Sequence, residues 1–421
     1  MQLKTVKIKN FRGIEDWEIR LKPGFNLIKG ENGKGKTSVL EAISVGLGAF
    51  TAGLDGVAAR AFSKKDVREV YTLIGQGSYN KTVMLPAEVS VTAKLDGEIY
   101  DWTREKKSLS SSKGTIQPRD VCQKAELMAE NDSCDLPVLS YLGAGRIYIQ
   151  KNEKTDQLLR RQYFRINGYE DALSETINIP LLQNWCAKME QIAWQKERKI
   201  EEYEAVKRAA QNFMQYMESG EKYRVFYDKQ QEELMYQTGE AILPIKGLSA
   251  GYQSLIWMVL DIAYRMAVLN PYKEKEISET CGVVLIDEID MHLHPRWQWN
   301  IVDALRMVFP NVQFIATTHS PILFASARDI WLIDIENKEI DYGYSQYGID
   351  INTSVNIYQE TQEMPAEVKK KADKFYNAMD AENYKEAQKI LEELEKDTAW
   401  TYPLLLQMRT RYELETVFWE E

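Results

Sequence analysis

Only three histidines and four cysteines occur in 421 residues. The cysteines (Cys122, Cys134, Cys186 and Cys281) are scattered without a CxxC pair. That removes a zinc-ribbon or disulfide-framework reading and suits reduced, structural thiols. No apolar run reaches the roughly eighteen residues a membrane-spanning helix needs, so no membrane association is expected. The opening MQLKTVKIKN alternates polar and apolar residues and lacks the apolar core of a secretory leader, so a cytoplasmic location is expected. Basic excess is missing too: 53 Lys and Arg against 63 Asp and Glu leave a net charge of −10. This argues against a surface that binds nucleic acid indiscriminately. Local basic stretches remain at 60–68 (with Lys64 and Lys65), at 104–113, and at Arg160, Arg161 and Arg165. Each reads either as a solvated loop or as part of a groove. With 44% hydrophobic and 28% charged residues, the chain has the composition of a globular protein, long enough for one large core or two ordinary ones.

What is present starts at Gly30-Glu31-Asn32-Gly33-Lys34-Gly35-Lys36-Thr37, which fits GxxxxGK[ST], the phosphate-binding loop. Residues 25–28 before it read as a short buried strand, and residues 38–43 after it open a helix. The glycines let the backbone turn its N–H groups inward on an anion. The following helix adds about half a positive charge at its first turn. Asn32, Gly33, Lys34, Gly35, Lys36, Thr37 and Ser38 are therefore the expected nucleotide-binding residues. Lys36 would reach the β- and γ-phosphates of ATP, and Thr37 would help hold Mg²⁺. The competing reading is a Gly-rich turn that only caps a helix.

Along the chain, residues 6–10 and 17–21 alternate as two strands about Arg12-Gly13, and Pro23-Gly24 turns into the strand before the loop. Residues 51–77 are irregular. Residues 87–95 and 99–103 form a hairpin about Asp96-Gly97, LSSSKG at 109–114 is a flexible loop, and 136–142 is a second buried strand. From residue 181 to about 237 the pattern reads as an inserted pair or trio of helices, with Trp185, Met189, Ile192 and Ala193 at helical spacing. The tail, 365–421, is helical. Ala372, Phe375, Tyr376 and Met379 share one face, and so do Ala387, Ile390, Leu391 and Leu394 after the turn at 380–383, which makes a helical hairpin.

Residues 282–286, Gly-Val-Val-Leu-Ile, form an apolar strand suited to a central parallel position. The strand ends in Asp287-Glu288, a Walker B pattern. Asp287 would bind Mg²⁺, and Glu288 is placed to polarise the attacking water. Leu248-Ser249-Ala250-Gly251-Tyr252-Gln253 precedes a long apolar helix, which Ser249 could cap. A helix start beside a closely approaching Gly251 is also an anion site. Residues 312–316 form a further buried strand, followed by Thr317-Thr318-His319-Ser320-Pro321. The remaining histidines, His292 and His294, lie in Asp290-Met-His-Leu-His-Pro295. An HxH pair suggests metal, but no third ligand is evident nearby.

LSAGYQ resembles the LSGGQ-type signature of ABC ATPases, in the soluble SMC/RecF-like branch. The order along the chain matches that branch: phosphate loop, signature, Walker B, Asp290, then a switch histidine, His319. The segment at 290–295 is similar to the D-x-H-L-H-P segment of the branch, and Asn10-Phe11-Arg12 resembles its NFR opening. The resemblance implies an α/β fold: a P-loop ABC-ATPase head with a mixed central sheet, an inserted helical subdomain and a C-terminal helical tail. It implies that Arg12 lies near the phosphates. It also implies that Ser249 and Gly251 of one protomer contact the ATP held by another, with Asp290 acting across a head-to-tail dimer and His319 sensing the γ-phosphate. The Q-loop glutamine has no clear position; Gln76 is the nearest candidate.

Residues 136–148 are similar to a strand-plus-Arg segment of bacterial defence-island ATPases, and the tail resembles the C-terminal helices of PtuA-type ATPases, the ATPase subunits of Septu and related retron systems, which work with an HNH nuclease. The expected organisation is an N-terminal lobe (1–175), a helical insertion (176–240), a C-terminal lobe (241–345) and a helical tail (346–421). The expected function is an Mg²⁺-dependent ATPase, a homodimer or higher oligomer, that regulates a partner HNH nuclease in anti-phage defence. No nuclease of its own is expected, because the hundred residues after His319 lack the clustered acids of a Toprim domain. A RecF-like DNA-binding repair protein shares every nucleotide motif, so nucleic acid stays open as a partner. A transporter cassette fits less well.

Overall fold

The computed structural model describes residues 1–74, 78–111, 114–146, 163–218, 222–336, 340–341, 347–348, 366–397 and 403–416. They fall into two compact units, Met1–Ile349 and Asp350–Glu421.

In the first unit, β1 (Gln2–Phe11) and β2 (Ile14–Arg20) form the expected antiparallel pair. They join β6 (Ala87–Leu95), β7 (Glu98–Lys106) and β8 (Thr115–Gln117) in a five-stranded antiparallel sheet of order β2-β1-β6-β7-β8. The second sheet has six strands, ordered β16-β15-β3-β14-β13-β9. These are β3 (Phe25–Lys29), β9 (Val138–Leu142), β13 (Gly282–Ile286), β14 (Val312–Thr317), β15 (Trp331–Asp334) and β16 (Ile340–Asp341). All its pairings are parallel except β15–β16, so the sheet is mixed. Strands β9, β13 and β14 are buried at every position, as their uninterrupted apolar runs require of strands covered on both faces.

Helix α1 (Lys36–Thr51) lies between the two sheets, touching β1, β6 and β7 on one side and β13 and β14 on the other. A helix apolar all round can only be buried, and VLEAISVGLGAF is such a sequence. Gly46 shows how tightly it is held. A Cβ there would lie 2.7 Å from Val91, and the Trp102 indole N–H donates to the Gly46 carbonyl at 2.9 Å. Helix α2 (Asp120–Glu130) covers part of α1 and β7. The result is an α/β unit in which α1 is the shared core of both sheets.

The segment expected to be helical up to about residue 237 is helical only in part. Helices α3 (Ile179–Gln195) and α4 (Glu201–Glu218) form, but β10 (Tyr223–Asp228), β11 (Glu233–Thr238) and β12 (Ala241–Pro244) then make a separate antiparallel sheet. The Gln and Glu residues of 228–233 suggest helix by composition. The β period is nevertheless present: Tyr223 and Val225 point inward and Arg224 outward. Tyr223 also stacks on Tyr236 of β11 at 5.7 Å. Cross-strand aromatic pairs of this kind override weak helix propensity. Part of the stretch read as irregular is also ordered, with β4 (Glu69–Leu73) paired to β5 (Tyr79–Val83) as an isolated ribbon.

Helix α5 (Ala250–Leu269) is buried along nearly its whole length and packs on β9 and α4. It carries a fully buried ion pair, Arg265 Nε to Asp261 Oδ2 at 2.8 Å, which Ser140 of β9 joins through its hydroxyl. Short helices α6 (Pro295–Gln298), α7 (Ile301–Val308) and α8 (Pro321–Ser326) complete the unit.

The second unit consists, among its described residues, of α9 (Ala366–Asp380), α10 (Tyr384–Asp397) and α11 (Pro403–Thr416). The two faces expected to pair do so: Ala372, Phe375, Met379, Ala387, Leu391 and Leu394 form one core, with Tyr376 and Ile390 against it. Glu382, at φ 56, makes the turn, and the Asn383 N–H donates to the Ala378 carbonyl at 2.8 Å. Leu405 and Met408 of α11 close the core as a third helix.

Candidate nucleotide site

The register of the parallel strands determines what meets at the sheet edge. Ile28 pairs with Thr317 and with Ile333, and Ile286 pairs with Ala316 and Leu142. The carboxyl ends of five strands therefore lie together, the usual place for a ligand in an open parallel sheet.

The loop between β3 and α1 has the glycine geometry its sequence demands. Gly33 and Gly35 have φ of 81° and 99°, and Gly35 is the left-handed residue at the start of α1. A Cβ on Gly30 would sit 2.3 Å from Ile335 Cγ2, because the chain after β15 passes directly against the loop. Asn32, Gly33 and Lys34 are exposed, Thr37 and Ser38 are half-buried, and Lys36 is buried. The Lys36 ammonium donates to the carbonyls of Gly30 at 2.6 Å and Glu31 at 3.0 Å, and lies 3.3 Å from His319 Nδ1. Burial lowers the Lys36 pKa, opposed by the negative charges of Glu288, Asp287, Asp290 and Glu336. His319 is lowered as well, first by burial and then by the nearby Lys36 charge. Its imidazole is thus held towards the neutral form that can accept from Lys36.

On the facing strands, the Thr37 hydroxyl donates to Asp287 Oδ2 at 2.8 Å and the Thr317 hydroxyl to Asp287 Oδ1 at 2.6 Å. Thr317 also accepts from the Glu288 N–H at 2.8 Å. Glu288, two residues past the end of β13, takes a left-handed φ of 46°, a conformation that costs energy outside glycine. Thr318 donates to Asp290 and accepts from the Ser320 N–H. Thr317 carries no role in the motif reading, although two adjacent threonines ending an apolar strand were the available signal.

The oxygen donors Thr37 and Asp287 suit Mg²⁺, which takes one or two protein oxygens and fills its shell with water and phosphate. The pair His292 and His294 is occupied with the chain itself. His294 Nδ1 accepts from the Arg296 N–H at 3.2 Å as the cap of α6, and His292 sits at φ 64° in the preceding turn. The His292 carbonyl lies where a Cβ on Gly251 would come within 2.6 Å. Gly251 therefore lets the signature corner close on the 290–295 segment.

Other expected residues lie further out. Ser249 occupies the N-cap position of α5 without a side-chain capping hydrogen bond, and it is exposed. Arg12 is turned towards the flank of α1, donating to Glu41 at 2.8 Å and Asp66 at 3.1 Å, with Arg60 sharing both acids. Its hydrogen bonds thus run to those carboxylates and not to the phosphate loop. Gln76, Arg160, Arg161 and Lys113 lie outside the described residues. Of the other basic candidates, Arg104 and Lys106 are buried and donate to backbone carbonyls. Arg165 likewise ties the carbonyls of Leu269 and Asn131 at 2.8 and 3.0 Å. These three are structural, which leaves Lys64, Lys65 and Lys107 exposed among the described candidates.

The pattern of the AAA domain family matches residues 5–221, over half the chain, and that of the AAA ATPase domain matches 144–324. The chain belongs to the AAA domain family. Among known proteins, it is 40% identical over 130 residues to "Retron Vc95 probable ATPase" of Vibrio cholerae serotype O1 biovar El Tor, covering 29% of this chain and 24% of that one. It is 26% identical over 347 residues to "Septu protein PtuA" of Bacillus mycoides (strain KBAB4), covering 80% of this chain and 41% of that one. The resemblance to PtuA-type ATPases is thus found along most of the sequence, and that to a retron ATPase over 29% of it. The chain spans only about a quarter to two fifths of the length of these relatives. Among solved structures, "Crystal structure of the SmcHead bound to the C-winged helix domain of ScpA" aligns with a TM-score of 0.48 at 16% identity, covering 82% of this chain and 96% of that one. No helix of the described residues is long and apolar enough to cross a membrane.

Proposed function

We propose that this chain binds and hydrolyses ATP with Mg²⁺, and that two copies pair head to tail around the nucleotide to control a partner nuclease in anti-phage defence. The observation that carries the first part is the 2.8 Å contact between Thr37 and Asp287, residues 250 apart in sequence. A Gly-rich turn that merely capped a helix would have no reason to meet a Walker B carboxylate. The N–H groups of 33–38 would cradle the phosphates, with Lys36 exchanging its loop carbonyls for phosphate oxygens. Thr37 and Asp287 would hold Mg²⁺, which when bound neutralises charge on the β- and γ-phosphate oxygens. Glu288 would orient the attacking water, and His319 would stand beside the γ-phosphate.

Exposed Ser249 at the start of α5, with its hydroxyl not used for capping, supports a role towards a second copy. In this reading Ser249, Gly251 and Asp290 serve the partner's nucleotide, and Arg12 acts indirectly through α1. The names Septu PtuA and retron ATPase support the defence role, and an HNH nuclease is the partner class we assign. A cytoplasmic location and the division into two lobes, an insertion and a tail belong to the same proposal.

The test compares Lys36→Ala with Glu288→Gln. Both should lose turnover. Only Glu288→Gln should retain ATP and accumulate as an ATP-bound dimer in light scattering. Steady hydrolysis by Glu288→Gln would overturn the assignment of the water-orienting residue, and full activity of a strict monomer would overturn the pairing. ATP-dependent, salt-sensitive DNA binding without a nuclease partner would point to a repair clamp instead.

A further inference from the structure

One buried cation belongs to no role assigned so far. Arg146 follows β9 in Gly143-Ala-Gly-Arg and is 2% exposed. Its Nη1 donates to the Asp287 carbonyl at 2.9 Å and the Gly143 carbonyl at 3.2 Å, and its Nε to the Ser254 hydroxyl at 3.0 Å. Two further bonds fix the segment. The Asp287 N–H donates to the Leu142 carbonyl at 2.8 Å, and the Arg146 carbonyl accepts from the Ile177 N–H at 3.4 Å.

The guanidinium thus bridges two elements of opposite assignment. Asp287 and Glu288 serve the nucleotide of their own protomer. Ser254 lies in the first turns of α5, whose start carries Ser249 and Gly251. Burial lowers the Arg146 pKa to about 10, and the Asp287, Asp290 and Glu288 charges work against that fall. The side chain is therefore charged at neutral pH, and it rests on dipoles whose positions depend on the Walker B turn. A lysine could not replace it, because only the planar fork reaches a carbonyl and a hydroxyl along separate N–H directions.

We infer that Arg146 is a positioning residue that links the Walker B turn of one nucleotide site to the signature helix serving the other, so that ATP at the first site sets the signature corner for pairing. The inference rests on the proposed head-to-tail pairing. A shift of the Asp287 carbonyl moves the guanidinium, and the Ser254 bond carries that shift into α5. Neither Arg146 nor Ser254 is among the residues assigned above to nucleotide or Mg²⁺.

Ser254→Ala removes only the α5 end of the link and is the milder change; Arg146→Lys removes the fork. Each is placed in a Glu288→Gln background, and two quantities are read. One is fluorescent ATP-analogue binding at protein concentrations too low for pairing. The other is ATP-driven dimerisation by sedimentation. Nucleotide affinity should stay within about twofold while dimerisation weakens about tenfold, the size expected for losing one charged hydrogen bond from a coupling path. Since both variants cut one link, the double variant should be no weaker than Arg146→Lys alone. Unchanged dimerisation of Ser254→Ala, or a parallel loss of nucleotide affinity, would overturn the link. A parent protein that does not pair on ATP would instead refute the underlying dimer reading, and this inference with it.

Discussion

Thr317→Val tests the site without altering any residue of the nucleotide motifs. The Thr317 side chain is fully buried, and its hydroxyl has two partners, the Asp287 carboxylate and the Glu288 N–H. Valine keeps the shape and removes both bonds. The bond to a charged carboxylate contributes about 1.5–3 kcal/mol, and a buried N–H left without an acceptor costs about 1–3 kcal/mol. Because the two share one hydroxyl, the combined loss of folding stability should be about 2–5 kcal/mol. Glu288 already holds a left-handed φ, so release of its N–H should let the carboxylate wander. If about 1.4–2.7 kcal/mol of that appears at the transition state, turnover falls about 10–100-fold. Thr317→Ser keeps the hydroxyl and should restore turnover to within about threefold. The assays are thermal unfolding and steady-state phosphate release. A Thr317→Val protein that melts and turns over like the parent would refute the claim that this hydroxyl holds the Walker B pair.

Two further outcomes follow from the same structure. His319 is held below its ordinary pKa by burial and by Lys36, so its stabilising neutral form is fully present above the unfolded value near 6.5. That stability is lost as pH falls through the lower folded value. His319→Gln should therefore flatten the acid side of the stability profile below about pH 6.5, and a steeper acid slope in calorimetry would contradict the argument. In the tail unit, Phe375 is fully buried in the α9–α11 core, and Phe375→Ala should cost that unit about 3–5 kcal/mol. Hydrogen exchange should then lose protection across 366–416 and keep it in α1 and β13; loss shared equally by both regions would count against separate cores.

How much could be read in advance depended on the range of the forces involved. The strands before the phosphate loop and before Asp287, the hairpin at Asp96-Gly97 and the paired faces of α9 and α10 were legible, because each is written in neighbouring residues. The strands of 223–244 were missed because polar composition hid a period-two pattern that becomes decisive only when Tyr223 meets Tyr236. The bonds that hold Arg12 to Glu41 and Asp66 beside α1 were not legible either, because the three residues are far apart in the chain.

The sequence alone determined which residue types could meet a phosphate and a hard cation, since glycine spacing and strand-ending carboxylates are local properties of the chain. Tertiary structure alone decided who meets whom. It placed Lys36 against His319, 283 residues away, hung Asp287 between Thr37 and Thr317, and buried Arg146 between a Walker B carbonyl and a signature-helix hydroxyl. The physical reason is that strand order and register are settled by how whole apolar faces pack, and no stretch of sequence contains both sides of such a contact.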